Sequence, residues 1–445
     1  MRLVLSDIRM QASMWLWTFL CAVVGAACSA GSIIAMLTAV STARAAGDAR
    51  MVSASIALGG NIAFFTVLAA VGIVASTVGL TLTTQRRDHA LWAILGIPRN
   101  RIRFILRTEL VVLGAAAGAL AVPLAPLVAS TALAQWTTTG LDLHGATAGL
   151  HLWHVGASVL SGVVPCLLGG WGATRRAAKT PEMRAFRDLS DPPARPGVTR
   201  SVLALCLLAG VVGMWIPGLG LELQGGIEQR TAFAFAGDLF LICLLLLMGP
   251  WVLTPLMRFW TALVPSRGVA WHLAVQSCRT RAARSVATVL PFALSLSFVG
   301  LFMVMGKVMP GSTAGLGDVL VVLGWVFVVS WVGGLAVIAL VGRERTRDSA
   351  IVTVAGARPG VVTRSTIYEG VIYAGTAIVF GVIAIAVTSA TIAVGAEISV
   401  VRVLDGLPWA TLGVLAGVTL VTTCLALALQ AARVSRTVAA RALRS

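Results

Sequence analysis

Long apolar runs dominate the chain, and short clusters of polar and charged residues separate them. A helix needs about 20 apolar residues to cross the hydrocarbon core of a bilayer. Ten runs reach or approach this length, and they lie at residues 14–40, 53–84, 105–134, 149–173, 200–217, 231–257, 285–308, 316–342, 366–392 and 407–431. The pattern therefore predicts an all-α polytopic membrane protein with about ten transmembrane helices.

The composition supports this fold class. Hydrophobic residues make up 58% of the chain and charged residues 11%, whereas soluble proteins carry about 25% charged residues. A net charge of +17 also occurs in proteins that bind nucleic acid, but here the cations cluster between the apolar runs. We therefore expect the lipid bilayer, and no nucleic acid, among the partners of this chain.

The basic residues predict the orientation of the spans. If the N-terminus is cytoplasmic, all but five of the 34 Lys and Arg residues fall on the cytoplasmic side. The five exceptions are Arg44, Arg50, Arg230, Lys307 and Arg402. Such a bias in short loops predicts that both termini are cytoplasmic, which requires an even number of spans.

One charged pattern occurs twice between the apolar runs. Residues 85–109 read QRRDHALWAILGIPRNRIRFILRTE, and residues 345–369 read RTRDSAIVTVAGARPGVVTRSTIYE. We call them the first and second charged segments. At a constant offset of 260, the first segment's Arg87, Asp88, Ala90, Gly96 and Glu109 recur as Arg347, Asp348, Ala350, Gly356 and Glu369.

The duplication predicts the domain organisation. We expect a four-span unit at residues 1–190, a two-span insert at 198–258 and a second four-span unit at 270–445. Six spans separate equivalent points, so the two units have the same orientation and form a parallel repeat. Two charged segments that face the cytoplasm predict two copies of one cytoplasmic partner.

Each charged segment is predicted to form a short helix, a turn and a second helix that enters the membrane. Asp88 suits a helix N-terminus, Gly96 a left-handed C-cap, and Pro98 the start of the next helix. Apolar residues around Leu91 offer a face that fits a partner's groove. The predicted coupling residues are Arg87, Asp88, Leu91, Gly96, Arg347, Asp348, Ile351 and Gly356, and Glu109 and Glu369 mark the predicted entry into the membrane.

The alternative interpretation is that these segments are ordinary basic loops, whose Arg side chains reach lipid headgroups and obey only the topology rule. The recurrence of Asp, Gly and Glu at fixed spacing in two copies favours a shared docking role instead.

Two units of apolar spans, each with a charged segment and a basic tail, resemble the permease subunits of FtsX/MacB-type ABC transporters. The segments resemble that family's pattern RxxELxxLxxLGxxxxxI, with Asp88 and Asp348 at the usual acidic position and Gly96 and Gly356 at the usual glycine. The four-two-four arrangement is similar to ten-span permeases associated with resistance to bacitracin-like peptides, but it lacks a large extracellular domain. The resemblance implies a subunit of the bacterial cytoplasmic membrane, driven by two copies of a cytoplasmic ABC ATPase subunit.

The sequence predicts that this chain is not itself an enzyme. It contains no GxxxxGK[ST] phosphate-binding loop, since its only lysines are Lys179 and Lys307. ATP and magnesium are therefore expected in the partner ATPase, and this chain is expected to hold no cofactor. His144, His151 and His154 lie close in sequence, but no acidic or thiol residue is spaced to complete a site, so we predict no metal.

The predicted cargo is hydrophobic or amphipathic, such as a peptide, an antibiotic or a lipid that is exported or extracted. Glu109, Glu369, Asp238 and Asp318 lie toward the ends of the predicted spans, so the mid-span regions are nearly uncharged and offer a polar substrate no binding group. Two alternatives remain open: an ion-coupled secondary transporter, and a membrane subunit that serves signalling or scaffolding without transport.

Two further patterns concern helix contacts and the membrane interface. Gly114 and Gly118 have the GxxxG spacing of close helix contacts, either inside the chain or between subunits. Trp136, Trp171 and Trp215 lie near the ends of predicted spans, where tryptophan suits the membrane interface.

Overall fold

The computed structural model confirms an all-α polytopic membrane protein. It describes residues 12–85, 91–92, 94–95, 97–138, 143, 146, 152–177, 198–220, 226–265, 268–308, 316–354 and 359–442. These residues form 14 helices and no strand. Ten of the helices in this described part are long and apolar enough to cross a membrane.

The helices follow the predicted spans, with two breaks that were not expected. In chain order they are α1 (Ala12–Ala45), α2 (Ala49–Thr84), α3 (Arg99–Ala121), α4 (Ala125–Thr138), α5 (Leu152–Ala177), α6 (Val198–Gly218), α7 (Ile227–Leu247), α8 (Gly249–Leu263), α9 (Val269–Thr280), α10 (Ala282–Val308), α11 (Leu316–Val354), α12 (Pro359–Gly395), α13 (Val400–Asp405) and α14 (Trp409–Ala442). The third predicted span divides into α3 and α4 around Pro123, and the sixth into α7 and α8 just before Pro250. Proline lacks the N–H that a continuous helix needs at that position.

The described helices group into two compact units. The first comprises Met1–Leu189 and Leu320–Val341. Within it, α1 packs against α2, α3, α4 and α5, and α3 runs along α5. Ile102, Leu106 and Leu110 of α3 are fully buried in an apolar cluster of this unit.

The GxxxG motif packs α3 against α5 inside this first unit. A Cβ atom at Gly114 would lie 2.8 Å from the carbonyl oxygen of Gly162, and one at Gly118 would lie 2.5 Å from that of Ser158. Because the obstructing atoms belong to the backbone, the two helices approach this closely only where the side chain is absent.

Alanine at Gly118 is therefore expected to destabilise the protein. Forcing a methyl group against backbone in a packed interface costs about 1–3 kcal/mol, so the melting temperature of the purified protein in detergent is expected to fall. Gly172→Ala on α5 is the matched control, since a Cβ there meets no atom within 4 Å. Equal melting temperatures for the two variants would contradict the assigned packing.

The second unit comprises Ser190–Val319 and Gly342–Ser445, and α12 lies at its centre. In this unit α12 packs against α7, α9, α10 and α14, while α6 packs along α7. The indole N–H of Trp260 donates to Thr376 Oγ1 at 2.9 Å and so ties α8 to α12. The predicted domains at 1–190, 198–258 and 270–445 were defined by a sequence repeat, whereas the two compact units are defined by contacts between helices. The predicted domains therefore stay a prediction.

Two of the tryptophans predicted at the interface have different environments. Trp171 is half exposed, in agreement with an interfacial position. Trp136 is fully buried, and its ring lies against Gly59, where a Cβ atom would stand 2.9 Å from Cη2. Trp136 therefore packs in the core of the bundle, where a glycine on the neighbouring helix makes room for its ring, and its interfacial position stays a prediction.

Candidate functional site

The first charged segment connects α2 to α3 and contains a closed helical turn. The N–H of Leu95 donates to the carbonyl of Leu91 at 3.0 Å, and the N–H of Ile97 donates to that of Trp92 at 3.1 Å. A bond from one residue to the fifth before it is the outer bond of a Schellman motif, which ends a helix. The described backbone thus supports a helix end just before Ile97.

Proline then starts the helix that enters the membrane. Pro98 has extended backbone (φ −66°, ψ 144°) and is the N-cap of α3. Its carbonyl accepts from the N–H groups of Arg101 and Ile102 at 2.8 and 3.2 Å. In the second copy Pro359 is the first residue of α12, so each charged segment ends in a helix that proline opens.

The helical turn of the first charged segment has two apolar faces with different environments. Trp92 and Ile97 pack against the core cluster that contains Leu82, Ile102 and Leu106. Leu91, Ile94 and Leu95 are 48%, 59% and 79% exposed. The turn lies between the end of one candidate span at Thr84 and the start of the next at Arg99. One face is therefore anchored to the bundle, and the other is an open apolar surface outside the candidate spans.

The second charged segment has a different local structure. Helix α11 continues without a break from Leu316 to Val354, so Arg347, Asp348 and Ile351 lie on the same helix as the eighth span. The expected separate short helix does not form there. In α2 the hydroxyls of Thr81, Thr83 and Thr84 bond to carbonyls three or four residues back, which weakens a helix end. The corresponding part of α11 carries Arg and Glu, which favour helix.

Several predicted site residues lie outside the described residues or have undescribed side chains. Arg87, Asp88, Gly96 and Gly356 belong to the first group, and Arg347, Asp348 and Ile351 to the second. Their roles stay predictions.

Glu109 and Glu369 are described and are buried, on α3 and α12 respectively. Each is the eleventh residue of its helix. Equivalent positions of the two charged patterns therefore occupy equivalent places relative to a helix start, and the predicted entry role of these two glutamates stays a prediction.

Another pair of positions separated by 260 residues is in direct contact. Gly333 of α11 lies against Ile73 of α2 in the first unit, where a Cβ on the glycine would stand 2.8 Å from Ile73 Cγ1. Both helices lead into a charged segment. A residue that meets its own equivalent is the arrangement that a two-fold relation between repeats produces.

Alanine at Gly333 is expected to destabilise the protein by about 1–3 kcal/mol, because the added methyl group overlaps Ile73. Ile73→Ala in the same molecule removes the obstructing atoms and is expected to restore part of the loss in melting temperature. Gly324→Ala on the same helix is the control, since a Cβ there meets nothing within 4 Å. Strictly additive effects of Gly333→Ala and Ile73→Ala would contradict the contact.

Sequence reasoning missed the central charge of the second unit. Asp238 is buried in the middle of α7, which runs from Ile227 to Leu247. Its carboxylate accepts from the indole N–H of Trp215 on α6 at 3.2 Å and from the hydroxyl of Thr391 on α12 at 2.5 Å. The expectation of an uncharged mid-span was wrong here, because it extended the sixth span to residue 257 and so placed Asp238 near its end. The Gly249-Pro250 pair was the signal for the earlier stop.

The same two helices are joined again beyond their apolar parts. Arg230 of α7 forms an ion pair with Glu397, just after α12, at 2.7 Å. Close backbone packing accompanies it, since a Cβ at Gly395 would stand 3.0 Å from the carbonyl of Gly218. The two-span insert is thus fastened to α12 at mid-span and near its end.

The described residues contain no group of three or more His, Cys, Asp and Glu side chains placed to hold a metal ion. His144 and His151 lie outside the described residues, so the absence of a metal site stays a prediction. The polar contacts described above join helices to one another.

Comparison with known proteins identifies part of the chain. The FtsX-like permease C-terminal family matches residues 60–181. This segment includes most of α2, the first charged segment and all of α3, α4 and α5. No curated protein matches the chain. The predicted resemblance to FtsX/MacB-type permeases is confirmed by this match, and the chain is a multi-pass membrane protein that carries an FtsX-like permease domain.

Proposed function

We propose that this chain is the transmembrane subunit of an ABC-type transporter, driven by cytoplasmic ATPase subunits that bind the two charged segments. The two-faced turn of the first charged segment carries this proposal. Large apolar side chains outside the candidate spans are unfavourable in water, and Leu91, Ile94 and Leu95 form such a surface on a short helix. A helix that presents spaced apolar residues fits a groove on a partner.

The anchored face explains how docking reaches the membrane. Trp92 and Ile97 pack on a cluster built from α1, α2, α3 and α5. A displacement of the docked turn therefore displaces close-packed side chains, and Pro98 passes the movement directly to the start of α3. Close packing transmits such shifts because the interior has few voids.

The proposal includes two ATPase copies, which bind ATP and magnesium, whereas this chain binds neither. The second charged segment and the contact between Ile73 and Gly333 support a repeat with two like sites. In the second copy, Asp348 and Ile351 extend a span directly, so movement is passed along one continuous helix.

The proposed cargo is a hydrophobic or amphipathic molecule such as a peptide, an antibiotic or a lipid, which is exported or extracted from the bilayer. The apolar lipid-facing surfaces of the candidate spans support this class. The mid-span charge at Asp238 is buried and already accepts two hydrogen bonds within the bundle, so it is not offered to a polar substrate.

The test is purification of the full chain from its native membrane, followed by identification of stoichiometric partners and an assay of vanadate-sensitive ATP hydrolysis. We expect an ATPase to co-purify and to be lost in the Leu91→Glu/Ile94→Glu variant. Val198→Glu is the matched control, since Val198 is also a highly exposed apolar residue but lies outside the charged segments. An active chain that purifies without an ATPase would overturn the proposal.

An ion-coupled secondary transporter is the second candidate, and Asp238 favours it. Ionisable residues inside membrane spans often mark ion pathways, and this one is central in α7. The two candidates differ in energy source. Cargo movement that persists after ATP depletion and stops when the proton gradient is collapsed would favour the secondary transporter.

A further inference from the structure

We propose that the first unit contains a binding site for the phosphate headgroup of an anionic phospholipid, at the end of the α3–α5 pair where α3 begins within the first charged segment. Arg103 and Arg107 of α3 and Trp171 and Arg175 of α5 form this site. By the orientation that the basic loops predict, the lipid belongs to the cytoplasmic leaflet.

The antiparallel register of the two helices brings these residues to one level. Close contacts pair Gly114 with Gly162 and Gly118 with Ser158. Further along, the guanidinium of Arg107 lies 4.1 Å from the ring centre of Trp171. One turn beyond this contact on each helix, the register places Arg103 level with Arg175.

The arginines of α3 have unused hydrogen-bonding capacity. The Nε atoms of Arg103 and Arg107 are buried and have no hydrogen-bond partner among the described residues. Neither guanidinium forms an ion pair within that part of the chain. Arginine presents its donors in a planar fork that matches phosphate oxygens, so a lipid phosphate would complete both groups.

The surface next to the arginines suits an acyl chain. On α5, Val164 and Leu168 are exposed and are followed on the same face by Trp171 and Arg175, at spacings of three and four residues. On α3, Phe104 is exposed beside the arginines. A tryptophan and cations at the end of an apolar stripe reproduce the order of headgroup and chain in a lipid. This layout favours a lipid over an acidic segment of a protein.

The two arginines of α3 are present in only one copy of the repeat. At the offset of 260, Arg103 and Arg107 correspond to Thr363 and Ile367, which carry no charge. ATPase docking is proposed at both charged segments, so it does not account for cations found in the first copy alone. These two arginines therefore require an explanation other than the docking proposed at both segments.

Native mass spectrometry of the full-length protein tests the site, with phosphatidylglycerol and phosphatidylcholine as probes. A cation near an anionic headgroup contributes about 1 kcal/mol, so Arg103→Gln/Arg107→Gln is expected to weaken phosphatidylglycerol binding roughly 30-fold. Binding of phosphatidylcholine is expected to change little. Arg99→Gln/Arg101→Gln is the matched control, because it removes the same charge from exposed positions of the same helix.

Four results would overturn the proposal. The first is unchanged phosphatidylglycerol binding in an Arg103→Gln/Arg107→Gln protein that keeps the wild-type melting temperature. The second is displacement of the lipid by inorganic phosphate alone, which indicates a simple anion site. The third is loss of a co-purifying protein without loss of lipid, which indicates an acidic protein partner. The fourth is equally weakened phosphatidylglycerol binding in the Arg99→Gln/Arg101→Gln control, which would show that only the general surface charge matters.

Discussion

Valine at both Gly96 and Gly356 is expected to abolish transport while the protein still inserts into the membrane. The bond between the N–H of Ile97 and the carbonyl of Trp92 is typical of a Schellman motif, a helix end at which glycine is common because it tolerates left-handed backbone. A side chain with a Cβ costs about 1–2 kcal/mol in left-handed backbone, which corresponds to roughly tenfold in an equilibrium. Cargo flux and substrate-stimulated ATP hydrolysis, measured in reconstituted vesicles with the partner ATPase, provide the measurement.

Two controls separate coupling from folding in this experiment. Gly79→Val on α2 introduces the same side chain where a Cβ meets no atom within 4 Å, and it is expected to behave as wild type. Single substitutions at Gly96 and at Gly356 show whether both copies are needed. Undiminished flux and ATP hydrolysis in the double variant would contradict the assignment of the charged segments as coupling sites.

The spans were predictable because a membrane helix depends on the residues of one continuous stretch of the chain. A run of about 20 apolar residues is visible in sequence, and ten such helices are present in the described part of the chain. The breaks inside two predicted spans were harder to predict from the sequence. Pro123 and Pro250 interrupt helices here, whereas Pro165 and Pro291 lie inside continuous ones. Proline in a membrane helix therefore does not decide by itself where the helix ends.

The position of the candidate site was predictable from the sequence. Which of its apolar residues are buried and which are exposed was not. Asp-to-Gly spacing and Pro98 located the first charged segment, its helical turn and the start of α3. Leu91 and Trp92 are adjacent apolar residues, and only the packing of α1, α2 and α3 decides that Trp92 is anchored while Leu91 is exposed. Contacts between distant parts of the chain determine such a difference.

The contacts of Asp238 were also not predictable from the sequence. Its position along the sequence does not reveal that Trp215 and Thr391 converge on it, since Thr391 lies 153 residues away. Hydrogen bonds of this kind are what make a carboxylate tolerable within a membrane-spanning helix. The three residues join α6, α7 and α12, so the insert is fastened to α12 at mid-span.

Removal of the Asp238 side chain is expected to loosen the insert from α12. In a double-mutant cycle of Asp238→Val and Thr391→Val, we expect a coupling energy of about 1–2 kcal/mol, the upper range for polar contacts between membrane helices. Unfolding of the purified protein in detergent supplies the four free energies. Thr376→Val is the matched control, because Thr376 lies on the same helix but bonds to Trp260, and its effect is expected to add to that of Asp238→Val. A coupling energy near zero between Asp238 and Thr391 would contradict their contact.

Asp238→Asn separates the two proposed functions. The amide oxygen still accepts from Trp215, and the neutral side chain still reaches the hydroxyl of Thr391, which both donates and accepts. If Asp238 serves only to hold α7 against α12, this variant is expected to keep its melting temperature and its ATP-dependent cargo flux. A stable Asp238→Asn protein without flux would show that the carboxylate's charge is required, which the helix-joining role does not explain and the ion-coupled mechanism does.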